Sequence, residues 1–463
     1  MKTMKKTVKF GAATLLAITL SSCHIYNKYD LPTENDFVKE YATSLEAGKD
    51  SVGLPYMTWE EVFTDPILQG YIRKALTNNT DLENARLNVD VARAQLKGAK
   101  LSYFPSVALT PNGGMAKYQD IPSSGWSYSI PMNISWEIDV FAKILNRKRG
   151  AQVSVDLMKD YEAGVRSQII CGVASTYYGL VLLNQQLALT KRTSEIWKDQ
   201  VESMKLMKEA AMVNEAAVVQ SEANYWSIMA SIPDIEAGIR QMQNTLALLL
   251  HEYPQPTYEV TNDLTFDLPV SLADGLPISY LAARPDVQAA ERKLATAYYA
   301  TNSARAAFYP GLTISSQGGF TNLLGSMISN PGKWFVQLAG SLAAPIFSRG
   351  QNIATLEAAK LQQKQAMNDF EKTVLSAASD VSNAFATYDS NRQKREYLIK
   401  QIDKLEKSVE YTQELLTLDQ RTTYLEVLTA QSSLLSAQLS SLSCWHNKVS
   451  SLISIYQAAG GGR

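Results

Sequence analysis

Cysteine and histidine supply much of the nucleophilic and metal-binding chemistry of proteins, and this chain has only three residues of each type. Cys23 follows a positively charged start and an apolar run that ends in Leu20-Ser21-Ser22. This order is typical of a bacterial lipoprotein signal, whose cysteine is lipidated after cleavage. His24 stands where an inner-membrane retention signal would place Asp, so we expect a lipid on Cys23 and delivery to the outer membrane. An ordinary signal peptide with a chance cysteine is the alternative.

The other cysteines and histidines do not form a group large enough to suggest a reactive site. Cys171 and Cys444 fall in helical patterns, and we expect buried free thiols, with a disulfide between them as the alternative in an oxidising compartment. His446 has no partner beyond Cys444, so it predicts no metal site. No Ser-His-Asp set or glycine-rich phosphate loop stands in a suitable context. We therefore predict that the protein is not an enzyme, binds no metal and has no cofactor apart from the covalent lipid on Cys23.

The composition restricts the class of protein further. Of 463 residues, 44 are Lys or Arg and 45 are Asp or Glu, which gives a formal net charge of −1 and argues against nucleic-acid binding. Hydrophobic residues make up 46% and charged residues 19%, which excludes a disordered chain. After residue 22 no apolar run reaches the roughly 18 residues of a membrane-spanning helix, so a helical membrane protein is excluded.

Two halves of the chain share one plan. Asp81, Pro105 and Gly113 recur at one constant offset as Asp286, Pro310 and Gly318. Such an offset indicates an internal duplication, and the proline-rich stretch 253–256 marks the boundary between the halves. Each half is predicted to contain a helix, two strands and a long helical hairpin.

The long helices are predicted from apolar residues that alternate four and three positions apart. In the second half this series is Phe370, Val374, Ala377, Val381, Ala384 and Tyr388. A sustained repeat of this kind indicates left-handed coiled-coil packing. Helices of about 60 residues would be on the order of 90 Å long.

Strict alternation of apolar and polar residues predicts strands with one apolar face and one polar face. The apolar positions are Trp126, Tyr128, Ile130, Met132, Ile134, Trp136, Ile138 and Val140, repeated as Trp334, Val336, Leu338, Gly340, Leu342, Ala344 and Ile346. We predict a bulge or irregularity at Pro131, because proline cannot donate a ladder hydrogen bond. Aromatic residues near strand ends are typical of transmembrane barrels, so Trp126, Tyr128, Trp136 and Trp334 are predicted to face lipid. A soluble sandwich is the alternative.

Four strands per chain are too few for a closed barrel, for which about eight are the practical minimum. Open sheet edges are not tolerated in lipid. The strands therefore predict that several identical copies complete one barrel, without choosing the number of copies.

Several short segments, in this order and spacing, carry a family resemblance. They are Cys23 with 28–32 (KYDLP), 59–66 (WEEVFTDP), 79–82 (NTDL), 284–287 (RPDV), 308–310 (FYP), 345–350 (PIFSRG) and 424–431 (YLEVLTAQ). With them the mature chain resembles the TolC-like outer-membrane efflux proteins, in the lipidated branch called NodT or OprM-like.

The resemblance implies a mainly α fold with a transmembrane β-barrel portion, duplicated as helix, strand, strand and long helical hairpin. It implies a homotrimer with a twelve-stranded barrel in outer-membrane lipid and an α-helical periplasmic tunnel. The implied partners are a periplasmic adaptor (membrane fusion) protein and an inner-membrane RND-type transporter. The implied function is an exit duct for drugs or toxic small molecules, lipid-anchored in the outer membrane with a periplasmic extension. Type I protein secretion is the alternative function, and a lipidated periplasmic adaptor is an alternative class.

A resting conduit must close, and the heptads run out at the tips of the two helical hairpins, near 211–217 and 418–424. Glu215, Asp419 and Arg421 are the charged residues there. We hypothesise that they form a periplasmic gate through ion pairs or a ring of carboxylates. A solvated helix turn is the alternative.

The basic run Asn146-Arg147-Lys148-Arg149 is predicted to be a solvated turn at the barrel rim, with phospholipid contact as the alternative.

These observations give a predicted division of the whole chain. The segments are a lipoprotein signal peptide (1–22), a lipidated N-terminal segment (23–64), a first efflux-protein repeat (65–252, with strands about 105–111 and 126–140), a linker (253–284), a second repeat (285–457, with strands about 310–317 and 333–347) and a C-terminal tail (458–463).

Overall fold

The computed structural model describes residues 24–32, 57–116, 125–269, 278–324, 327–418 and 424–462, with isolated positions between 39 and 54. Cys23, Asp419 and Arg421 lie outside the described residues. The described helices are α1 (Trp59–Val62), α2 (Pro66–Asn78), α3 (Thr80–Leu101), α4 (Lys143–Glu209), α5 (Glu215–Leu249), α6 (Pro285–Ala306), α7 (Gln351–Leu418) and α8 (Tyr424–Ala458), and the strands are β1 (Ser106–Leu109), β2 (Asn112–Ala116), β3 (Gly125–Ile138), β4 (Gly311–Leu324) and β5 (Met327–Ala343).

The element order follows the duplicated plan. Helix α3, the strands β1 to β3 and the hairpin of α4 and α5 are followed by helix α6, the strands β4 and β5 and the hairpin of α7 and α8. Helix α4 has 67 residues and α7 has 68, so each is somewhat longer than the heptads predict. Within the described residues, no helix combines the length and the apolar character needed to cross a bilayer.

The chain divides into two compact units. The first contains the described parts of Met1–Pro32, Leu87–Lys159 and Ala289–Lys372, and the second contains those of Thr33–Arg86, Asp160–Gln288 and Thr373–Arg463.

The first unit carries one antiparallel sheet in the order β1-β3-β4-β5, and β2 also pairs with β3. Strands β1 and β2 thus lie end to end along one side of β3, on either side of Thr110 and Pro111. At one end of the sheet, which we call the helix end, the strands continue into α3, α4, α6 and α7. At the other, the hairpin end, β2 is followed by β3 and β4 is followed by β5.

The irregularity expected at Pro131 is an interruption of pairing on one side of β3, and there is no bulge on the other side. Pro131 pairs with Gly319 in an unbroken β3–β4 register. Its carbonyl accepts a hydrogen bond from Thr110 N (3.1 Å), so its nitrogen also points towards β1 and β2, where that side of the sheet is interrupted. The missing N–H therefore costs the ladder little, and the proline sits where a break already exists.

A second irregularity, a shift of register, lies in the β4–β5 pair between Thr321 and Leu323. The buried side chain of Asn322 turns to β3 at this point. Its Oδ1 accepts from Tyr128 N (2.6 Å) and its Nδ2 donates to Trp126 O (2.8 Å). A side-chain amide thus provides the donor and the acceptor of a backbone ladder where this shift interrupts it.

The second unit has an aromatic core. Phe63, Tyr177, Trp445 and Tyr456 are fully or almost fully buried in one cluster. Helix α2 is placed by Asp65, which accepts from Ile67 N (2.8 Å) as the N-cap before Pro66. The other carboxylate oxygen of Asp65 accepts from Tyr177 Oη (2.6 Å), so the cap is tied to the core.

The C-terminal residues also belong to this core. Residues 459–462 are buried, and the carbonyl of Gly461 accepts from Ser167 Oγ (2.6 Å). A Cβ at Gly461 would overlap the ring of Tyr456, so the glycine is required by close approach. The predicted tail is therefore a packed segment up to Gly462.

Candidate functional site

The candidate site is built first from the two faces of the sheet. Register places Ile130, Phe320 and Trp334 in one row and Ile134, Ser316 and Leu338 in another. These rows and their neighbours form the apolar face, whose side chains are exposed: Trp126 is 73% exposed, Trp334 66% and Leu338 75%. Trp334 and Phe320 pack edge to face with ring centroids 5.9 Å apart. A continuous exposed apolar face of this kind needs a cover other than water.

The four residues predicted to face lipid all lie on this apolar face. Tyr128 and Trp136 are 39% and 40% exposed, compared with the higher values of Trp126 and Trp334. The indole Nε1 of Trp136 donates to Tyr103 O (2.9 Å), which anchors the helix end of β3. Trp126 lies near the hairpin end, so aromatic residues stand towards both ends of the strand.

The opposite side, the polar face, carries the residues that alternate with the apolar ones. One of its rows contains Asn133, Gln317 and Gln337. Another contains Ser135, Ser315 and Ala339. One side of the sheet is thus suited to water and the other to lipid.

The two edges of the sheet are unpaired in the described part of the chain. Strands β1 and β2 form one edge and β5 forms the other. Each presents N–H and C=O groups that need a partner, and inside a bilayer water cannot provide one. In its described part, a single chain therefore has two unpaired sheet edges together with an exposed apolar face.

The helical hairpins supply the second part of the site. Helix α4 ends at Glu209 and α5 begins at Glu215, while α7 ends at Leu418 and α8 begins at Tyr424, so the tips lie where the heptads run out. Asn214 caps α5 by accepting from Ala217 N (3.0 Å). Glu215 forms an ion pair with Lys208 in the last turn of α4, across the connection between α4 and α5. Both are about half exposed or more, so this pair contributes little stability.

The two hairpins pack together just behind their tips. Trp197, Met204, Val218, Tyr424 and Leu428 form one buried cluster. Tyr424 Oη donates to Ser221 Oγ (2.7 Å), and Ser221 is fully buried. Glu215 therefore lies three residues before Val218, which belongs to this packed contact between the hairpins. Asp419 and Arg421 lie outside the described residues, so the predicted gate of Glu215, Asp419 and Arg421 stays a prediction.

The basic run at 146–149 is not a solvated turn, as the sequence predicted, because it forms the first turns of α4. Asn146 is fully buried, and its Nδ2 donates to Ile25 O (2.9 Å). Arg149 donates to Tyr26 O (2.9 Å). Charged and polar side chains from this run therefore hold the chain that directly follows Cys23.

Sequence reasoning missed the roles of Asn146, Asn322 and Ser221. Each is a buried polar side chain that binds a group far away in the sequence. No local pattern carries such a contact, although a polar residue inside an apolar series, such as Ser221 near Val218, is a usable signal.

Both cysteines of the mature helices, Cys171 and Cys444, are free and buried, as predicted. Burial raises the pKa of the Cys171 thiol to about 12, which makes it a poor nucleophile. Among the described residues, no group of three His, Cys, Asp or Glu is placed to hold a metal ion.

Comparison with known proteins identifies a family to which this architecture corresponds. Residues 71–251 and 276–461 match the family described as outer membrane efflux protein. The chain is 28% identical over 410 residues to the probable outer membrane lipoprotein SilC of Salmonella typhimurium, covering 87% of this chain and 88% of that protein. It is 26% identical over 455 residues to the cation efflux system protein CusC of Escherichia coli O6:H1, covering 96% and 97%.

The fold has solved relatives as well. The structure of the outer-membrane channel OprN superimposes with a TM-score of 0.82 at 22% identity, covering 94% of this chain and 98% of that chain. At this identity the likeness concerns the fold, which is the TolC-like arrangement of a strand sheet and long helical hairpins.

Proposed function

Because this chain belongs to the outer membrane efflux protein family and is an outer-membrane efflux channel, we propose that three copies close its sheet into one twelve-stranded barrel. The observation that carries the proposal is the sheet itself, which has an exposed apolar face, a polar face and two unpaired edges. Pairing β5 of one copy with β1 and β2 of the next removes every edge, and the strands alternate in direction around the sheet, so the new pair is antiparallel.

The polar face then lines a water-filled passage and the apolar face contacts lipid. Trp126, Tyr128, Trp136 and Trp334 face that lipid. The long helices of the three copies continue the passage into the periplasm, where Glu215, Asp419 and Arg421 gate it at the hairpin tips.

The channel works with a periplasmic adaptor protein and an inner-membrane transporter of the RND type, which supplies the energy. It passes small molecules such as drugs or toxic compounds. CusC is named for cations, whereas SilC is named only as a lipoprotein, so neither name selects one substrate for this chain. None of the relatives described above is named for protein secretion.

Cys23 carries the covalent lipid that holds the chain to the membrane. From Cys23 to Ile25 the chain can extend at most about 7 Å. Ile25 is buried against Ala142 and Ala306 in the first unit, so the lipid enters the membrane next to that packed contact.

The assembly is tested by purifying the chain from outer membranes in mild detergent and measuring its mass by native mass spectrometry. We expect a trimer that resists dissociation by detergent until heated, and step conductances in planar bilayers. A monomeric, water-soluble product without pore activity would contradict the proposal.

The lipid is tested separately with radiolabelled palmitate. Wild-type chain should incorporate the label, and Cys23→Ser should not, whereas Cys171→Ser should incorporate it fully. Equal labelling of wild type and Cys23→Ser would exclude the lipid on Cys23.

A further inference from the structure

Charge is scarce on the polar face of the sheet. Among the described residues of β1 to β5, this face carries two charged side chains, Glu137 on β3 and Lys333 on β5. Register places Glu137 opposite Thr313, near the helix end, and Lys333 opposite Thr321, near the hairpin end. The other residues in these rows are Ser, Thr, Asn, Gln and small or apolar side chains. Any electrostatic preference of the sheet therefore comes from these two positions.

The two charges differ in their surroundings. Glu137 forms an ion pair with Lys143 Nζ (2.8 Å), so its charge is compensated locally. The nearby carboxylate of Asp139 accepts from Ile144 N (3.0 Å) and Leu145 N (2.7 Å), and it caps the first turn of α4. Lys333 is exposed and has no ion-pair partner in the part of the chain that the structure describes. One uncompensated positive charge therefore remains on the polar face of the described strands.

The position of Lys333 fits a place inside the passage. The neighbouring Trp334 points to the apolar face, as its 66% exposure and its contact with Phe320 indicate. Because successive side chains of a strand point to opposite faces, Lys333 projects from the polar side. It shares its row with Thr321 and Ser129, whose side chains do not carry charge.

We propose that Lys333 makes the hairpin end of the channel selective for anions. This inference rests on the proposed function, because three copies of the sheet are needed to bring three Lys333 ammonium groups around one passage. Three like charges around one water-filled opening with low-dielectric walls raise the local concentration of anions and repel cations. The favoured solutes are small inorganic anions and organic molecules with a carboxylate, sulfonate or phosphate group.

The experiment measures ion selectivity of the purified wild-type trimer in planar bilayers under a potassium chloride gradient. Lys333→Gln and Lys333→Glu are compared with wild type at low and at high salt. We expect chloride to permeate better than potassium in wild type at ~0.1 M salt, and this ratio to fall by about two-fold in Lys333→Gln. Lys333→Glu should favour potassium. The differences should shrink near 1 M salt, where the screening length falls to about 3 Å.

Lys97→Gln is the matched control, since it removes the same charge from the exposed surface of α3, outside the sheet. It should keep the wild-type permeability ratio. Trimer content by native mass spectrometry shows that each variant assembles, so a change in selectivity is not a change in folding. Equal permeability ratios for wild type, Lys333→Gln and Lys333→Glu at low salt would overturn the proposal. Lack of any conductance, from wild type included, would contradict the proposed channel and this inference with it.

Discussion

At the scale of single residues, close backbone approach decides which side chains the sheet accepts. Gly319 pairs with Pro131, and a Cβ at Gly319 would overlap the carbonyl oxygen of Ile130. Gly340 on β5 has open space around its missing Cβ. An added methyl group would therefore clash with backbone at Gly319 but not at Gly340, although both glycines lie in strands.

We expect Gly319→Ala to disturb the β3–β4 ladder and to lower the yield of heat-resistant trimer severalfold, because backbone would have to move to admit the methyl group. Gly340→Ala should assemble like wild type. Gel mobility of unheated and heated outer-membrane samples measures both. If the two variants assembled equally well, the close approach at Gly319 would not limit the fold.

An ion pair in the second unit gives a pH dependence. Arg284 is 10% exposed and donates to Asp286 Oδ2 (2.8 Å) and Asp380 Oδ2 (3.1 Å). Burial alone would raise the pKa of the Asp286 carboxyl, but hydrogen bonds and charge from Arg284 outweigh it and lower this pKa. A carboxyl with a lowered pKa in the folded state stabilises the fold above its unfolded pKa of about 3.9, and this stabilisation is lost as pH falls through the folded value.

The thermal midpoint of the detergent-solubilised protein should therefore fall as pH drops below about 4. Asp286→Asn should have a lower midpoint at neutral pH and a smaller change below this pH. Asp90→Asn is a suitable comparison, because Asp90 pairs with Arg93 on the exposed surface of α3. A midpoint in Asp286→Asn with the full wild-type pH dependence would show that this carboxyl is not responsible.

At the scale of elements, period-two and heptad patterns predicted the strands and the long helices. Both patterns arise because only the side chains on one face of an element pack against apolar surroundings. The ends of β4 and β5 were harder to predict. Strand β4 runs on to Leu324 and β5 starts at Met327, whereas the alternation suggested strands near 310–317 and 333–347. Glycines and small polar residues weaken the pattern between these limits, and only pairing across the hairpin extends the strands.

The sequence also predicted which face of each strand is apolar, and this gives a matched test. We expect Leu338→Lys, on the apolar face of β5, to reduce the trimer in outer membranes, since a lysine in the lipid-facing midplane costs about 2–4 kcal/mol. Gln337→Lys places the same charge on the polar face of the same strand, so it should assemble normally. Quantitative blotting of heat-resistant trimer compares them. Similar loss in both variants would mean that Leu338 does not face lipid.

At the scale of the whole molecule, the number of strands predicts that several copies are needed, because a barrel needs more strands than one chain has. The tips of the hairpins were predictable from the loss of heptads. Contacts such as Tyr424 with Ser221 were not, since they join segments about half the chain apart. The local patterns of a sequence carry no information on which distant polar groups meet.

The gate is tested on the assembled channel. Neutralising Asp419 and Arg421 together, as Asp419→Asn with Arg421→Gln, should raise single-channel conductance or antibiotic uptake, because it removes charges that we propose to hold the tips closed. Glu222→Gln is the control, since Glu222 forms an ion pair with Lys205 (2.8 Å) further from the turn of the same hairpin as Glu215. Unchanged resting leakage in the double variant would count against a charged gate at these positions.

The buried C-terminal segment has a consequence for biogenesis. Gly461 packs into a core that joins both halves of the chain, since its carbonyl accepts from Ser167 and it lies against the ring of Tyr456. Residues 459–462 are therefore needed before that core can close, so a polypeptide interrupted before them lacks a piece of the core and remains open to periplasmic proteases. Translation as far as Gly462 is in this way checked by the fold itself.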